Sequence, residues 1–158
     1  MGWGVISAIV LAAFALLLVS AGVEDARTRE IANWKSGAIA LLAPAWWWLQ
    51  GVSLWPDVAI QCAIAFAVFA FFAFTFRFGW MGGGDVKLIG ALALWFPLLP
   101  LMKVLMVMSL LGGALTLILV VERAIRRNSG QIEVPYGVAI AIAALLSLRE
   151  PILNGFSR

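Results

Sequence analysis

Two aspartates, Asp25 and Asp85, are the residues of this chain best placed to do chemistry. They have few rivals. The chain holds eight acidic side chains, one cysteine (Cys62) and no histidine. Pairs of a nucleophile with an imidazole are excluded, as are an internal disulfide and a zinc site of the usual Cys/His kind. Two aspartates brought together need none of these. One, ionised, takes a proton from water. The other, protonated, polarises a peptide carbonyl. Like charges in contact resist double ionisation, so the pair shares a proton. That is metal-free peptide hydrolysis, with no cofactor.

Asp25 lies just after an apolar stretch, in the polar segment Glu24-Asp25-Ala26-Arg27-Thr28-Arg29-Glu30-Ile31-Ala32-Asn33-Trp34-Lys35. Asp85 precedes another apolar stretch and stands directly behind Gly82-Gly83-Gly84. A carboxylate at a membrane boundary is costly unless it is solvated or used. Position alone also fits ordinary interfacial charges, or a helix cap at Asp85. The glycines favour use. Each costs about 1 kcal/mol in a helix relative to alanine. The triplet therefore predicts a break with special backbone geometry, bare enough for an extended substrate to approach. Asp85 then opens the next helix, whose dipole favours the ionised form.

The elements that must carry these residues follow from composition. Of 158 residues, 64% are hydrophobic and 12% charged, whereas soluble domains are roughly half apolar and a quarter charged. The expected fold is all-α: a polytopic transmembrane helical bundle, a single integral-membrane domain over residues 1–158. At about 20 residues per crossing, there is room for about six segments. They are read at residues 4–22, 36–49, 58–76, 88–96 and 104–121, with a last one after Gly137 reaching Leu148. The fourth and sixth are short, so four full spans plus two partial ones is the alternative. The N-terminal stretch lacks a basic n-region and is too long for a signal h-region, so it reads as a retained helix.

Six crossings put Arg27, Arg29, Lys35, Arg77, Lys87, Arg123, Arg126 and Arg127 on one side, and Lys103, Arg149 and Arg158 on the other. That bias makes the first side cytoplasmic and the N-terminus external. The net charge of +3 is too small and dispersed for nucleic-acid binding. Arg27 and Arg29 instead set topology or contact lipid headgroups. Trp34 and Trp80 are expected as anchors on the inner face, and Trp3, Trp46, Trp47, Trp48, Trp55 and Trp95 on the outer. Ser109 and Gly113 form a small-xxx-small pair suited to close helix packing.

Three motifs carry a resemblance. Met81-Gly82-Gly83-Gly84-Asp85-Val86-Lys87-Leu88 resembles the Gly-x-Gly-Asp signature of type IV prepilin peptidases. Asp25 through Ile31-Ala32-Asn33 resembles that family's first aspartate motif, in which Ile-Pro-Asn follows six residues later. Val134-Pro135-Tyr136-Gly137 resembles its later Pro-(Tyr/Phe)-Gly element. The resemblance implies catalytic aspartates at Asp25 and Asp85. It implies that Gly82, Gly83, Gly84, Lys87, Asn33, Pro135, Tyr136 and Gly137 serve the motifs or the approach of substrate. It implies a prepilin substrate, cut between a short basic leader and a hydrophobic helix at the cytoplasmic membrane face, with membrane lipid as the other partner.

The small size and single cysteine resemble the Flp, or tight-adherence, branch, which lacks the tetra-cysteine region tied to methylation; peptidase activity alone is expected. Two positions depart from the pattern: Ala32 stands where proline is usual, which loosens the turn, and Val138 where a second proline is frequent. Lys87 reads as an interfacial anchor or local charge partner, and Glu24 as pointing away from Asp25. The alternatives are an archaeal preflagellin-type peptidase, or a small membrane channel or assembly subunit. A resting arrangement with the carboxylates apart stays open.

Overall fold

The computed structural model describes residues 2–126 and 134–148, with side chains from Gly4 onward. Six helices follow in order: α1 Gly2–Thr28, α2 Asn33–Leu49, α3 Ala59–Arg77, α4 Gly83–Ala93, α5 Leu98–Arg126 and α6 Tyr136–Ser147. An irregular turn at Leu54–Val58 leads into α3. Among the described residues, three helical stretches are long and apolar enough to cross a membrane: Gly4–Thr28, Leu54–Arg77 and Leu98–Arg126. At 11 and 12 residues, α4 and α6 rise only about 16–18 Å, against a hydrocarbon core of about 30 Å. An all-α membrane bundle is thus what the chain forms, with α4 and α6 short and α2, at 17 residues, also outside the three long stretches.

The short helices lie inside. α4 packs on α2, α3 and α6, and α6 packs on α1, α4 and α5. A helix that ends within apolar surroundings must find donors for its last carbonyls. α4 finds them in side chains of other helices. Gln61 of α3 donates its Nε2 to the carbonyls of Ala93 and Phe96 at 2.6 and 2.7 Å. Trp47 of α2 donates its Nε1 to the Leu94 carbonyl at 3.0 Å. Pro97 then redirects the chain into α5.

The tryptophans divide differently from expectation. Trp46, Trp47 and Trp95 are buried in the core, while Trp34, Trp48, Trp55 and Trp80 are exposed. Trp95 stacks on Phe14 at 4.0 Å and on Trp46 at 5.8 Å between ring centroids, and donates its Nε1 to the Ile39 carbonyl. These rings fill the space beyond the end of α4, where a helix too short to cross leaves volume for large side chains. The Trp3 side chain, Arg127, Asn128, Ser129, Gly130, Arg149 and Arg158 lie outside the described residues.

Helix ends also shift. α1 runs on to Thr28, so Asp25 belongs to its last turns rather than to a loop. Gly22 does not end the helix; it admits α6, since a Cβ there would meet Ala141 at 3.0 Å. α1 stops at Arg29, which takes a left-handed φ of 59° and donates its N–H to the Asp25 carbonyl at 2.9 Å. On α5 the close approach is at Gly112, against Tyr136, and Gly113 faces open space.

Candidate active site

Three helix ends meet at the site: the last turns of α1, the first turn of α4 and the first turn of α6. Asp25 is 4% exposed and Asp85 8% exposed, low values for carboxylates. Both line one cavity of about 220 Å³, together with Arg29, Glu30, Ile31 and the three glycines 82–84. The structure thus brings the aspartates together.

Each glycine has a steric reason. Gly82 precedes α4 in an extended conformation, φ −69°, and Gly83 and Gly84 are already helical, so the expected break falls at Gly82, with a φ that any residue adopts. What the bare positions provide is room. A Cβ on Gly82 would sit 3.0 Å from Asp85 Oδ2, one on Gly83 3.3 Å from Phe76, and one on Gly84 3.2 Å from Ile31. Asp85, Phe76 and Ile31 pack on these positions, and the same glycines line the acid cavity.

Gly137, which opens α6, is tighter still. A Cβ there would fall 2.8 Å from Asp25 Cγ and 2.7 Å from Ile31 Cδ1. The next amide, Val138 N–H, donates to Asp25 Oδ2 at 3.3 Å. A second proline at position 138 could not make that bond. Ile31 is therefore wedged between Gly84 and Gly137, tying α1, α4 and α6 together around the acids.

Asp85 lies outside the three long spans. Burial pushes its carboxyl up to about 7, the nearby Asp25 pushes the same way, and the Gly82 amide pulls back only in part. At neutral pH the site is poised to hold one proton on two carboxylates.

The model of the type IV leader peptidase family matches residues 12–117. The chain belongs to that family. No curated protein and no solved structure matches it. The matched region runs from within α1 into α5 and includes both aspartates. This leader peptidase is therefore a membrane peptidase, and a type IV leader peptidase in general function.

Other motif residues of the peptidase lie elsewhere. Lys87 donates to Asn33 Oδ1 at 2.7 Å, and the two line a separate groove rather than the acid cavity. Tyr136 lies over Gly112, with its hydroxyl 3.5 Å from Thr116 Oγ1, so it fastens α6 to α5. Pro135 sits at the N-cap of α6 and positions Gly137.

Glu24 does point away from Asp25, but it has work of its own. Its Oε2 accepts from the Ala32 N–H at 3.0 Å and pairs with buried Lys35 at 3.0 Å, and Lys35 also donates to the Ser20 carbonyl. The turn that holds Ile31 is thereby fastened where proline is missing, rather than loosened. Sequence reasoning passed over Ile31, Glu24 and Gln61 as site determinants. For Gln61 a signal existed: a lone amide in an apolar membrane helix requires a partner.

Proposed function

We propose that this protein is an aspartyl endopeptidase that removes the short basic leader of a prepilin at the cytoplasmic membrane face. The observation that carries the reading is the enclosure of Asp25 and Asp85 in one small cavity. Asp85, with its raised affinity for a proton, is the general acid that polarises the scissile carbonyl. Asp25, fixed by the Val138 amide, is the base that deprotonates the attacking water. The pair shares one proton through the cycle, so no cofactor enters.

The Lys and Arg bias supports an inner-membrane, multi-pass arrangement with this cavity on the cytoplasmic side and the N-terminus outside. The single cysteine supports the Flp-type branch, which lacks the tetra-cysteine region.

The test is cleavage of a prepilin peptide in detergent by the wild type, Asp25→Asn and Asp85→Asn. Each variant is expected to lose roughly 10²–10⁴-fold or more in kcat, the range for removing a positioned acid or base. Normal cleavage by both variants would end the proposal.

A further inference from the structure

A second concavity lies on the far side of α4. It is an apolar groove of about 480 Å³ between α2, α3 and α4. Small residues line it, buried Ala65 and Ala91, half-buried Ala40 and exposed Gly37, and Phe66 forms an exposed wall. Small residues let a helix backbone come close in lipid. Ser36 also lines the groove; it is 5% exposed, and its hydroxyl has no hydrogen-bond partner among the described residues. That hydroxyl is enclosed by the chain itself, so what the groove offers an occupant is apolar, small-residue surface.

We propose that this groove docks the apolar helical segment of the substrate, next to its cleavage point. This docking presupposes the leader-peptidase reading. Charge sets the direction. Asn33 and Lys87 lie at the groove, two residues beyond Ile31 and Asp85 of the acid cavity. The cavity carries Asp25, Glu30 and Asp85 against a single Arg29, which suits a basic leader. Lys87 repels such a leader from the groove. Residues two apart on a helix face opposite ways, so the substrate passes from groove to cavity over the Gly82 end of α4. Its scissile bond then arrives between the carboxylates with the apolar segment behind it.

The native thiol supplies a probe. Cys62 is the only cysteine in the chain, is exposed, and lines the groove. The substrate is a synthetic basic leader followed by an apolar segment of about 20 residues. Single cysteines are moved along that segment and oxidised against Cys62 in the Asp85→Asn protein, in mixed micelles. Cross-links are expected to recur every three to four positions, the repeat of a docked helix.

A second arm fills the groove. A Cβ at Gly37 meets nothing within 4 Å, so Gly37→Trp folds while narrowing the trough. KM is expected to rise about tenfold or more, with kcat changed less than about threefold. Cleavage with an unchanged KM and no periodic cross-links would overturn the docking proposal. So would phospholipid shielding Cys62 from maleimide where substrate does not, which would make the groove a lipid niche. Periodic cross-links without any cleavage by the wild type would leave docking standing and remove the peptidase reading instead.

Discussion

α3 and α4 pack against each other and are built from similarly apolar residues, yet they live in different surroundings. α3 buries only Gln61 and Ala65 and shows Phe66, Phe71 and Phe74 to the outside. α4 is buried at Asp85, Val86 and every residue from Leu88 to Ala93. Length separates them. A helix that crosses the bilayer can satisfy its backbone at both polar faces. One of 11 residues must be surrounded by protein, which supplies its missing partners. The short helix is consequently where a carboxylate can be held dry and fixed. The long helices form the wall that allows this.

Changes at the enclosed ends should therefore cost much more than changes on the wall. The largest effect is expected at Gly137. Gly137→Ala forces a methyl into Ile31 and Asp25, costing about 1–3 kcal/mol and most of the leader cleavage. Gly113→Ala on α5, facing open space, should leave both unchanged. Thermal unfolding in detergent beside a cleavage assay checks the pair. If the two variants behave alike, enclosure is not what matters.

Gln61→Leu comes next. It strips the Ala93 carbonyl at the end of α4 and the Phe96 carbonyl just beyond it of their donor, at about 1–3 kcal/mol for each group left bare. Phe66→Leu, one and a half turns along the same helix but exposed, should stay within about 0.5 kcal/mol. Equal losses from both would show that α4 does not depend on α3 for its end.

The third expectation concerns pH. Asp85 ionises near 3.8 when unfolded and about 7 when folded. Between these values the folded state binds more protons, so stability falls as pH rises through the window and levels off above about 7. Asp85→Asn should remove that part of the slope. Cleavage by the wild type should show an alkaline limb centred near pH 7, where the shared proton leaves. A flat stability profile would mean that Asp85 is not enclosed as described.

The smallest effect is expected at Ala32. Its φ of −60° and ψ of 128° suit proline, but proline would delete the N–H that Glu24 accepts. Stiffening and the lost bond oppose each other, so Ala32→Pro should shift stability by less than about 1 kcal/mol. A larger loss, read by the same unfolding experiment, would place the fastening of this turn on Glu24 alone.

Much of the site was legible in the sequence because it depends on residue types that apolar surroundings make conspicuous. Asp25 and Asp85 stand out in an apolar chain, and the glycines beside Asp85 signal a constraint. The nature of that constraint was not legible, since glycine for conformation and glycine for room look alike in one dimension. Only Phe76 and Ile31, brought from other helices, tell them apart. The tryptophans show the same limit. Trp46 and Trp95 sit at the ends of apolar runs exactly as anchors do, and only the shortness of α4 turns that depth into core. Glu24 and Lys35 read as interfacial charges until the α1–α2 turn folds them onto each other.

That turn also bears on how the protein is made. Glu24 and Lys35 pair across a few residues, so their bridge can form once α2 has followed α1 into the bilayer. At that stage α4, with Asp85, has not been synthesised. Gly137, which closes over Asp25, comes from the last described helix. The acid pair is thus assembled from pieces that arrive far apart in time, and the N-terminal piece waits in its final shape for the other two. The nascent chain carries half a site while its first helices insert, and the two carboxylates are enclosed only after Gly137 has been made.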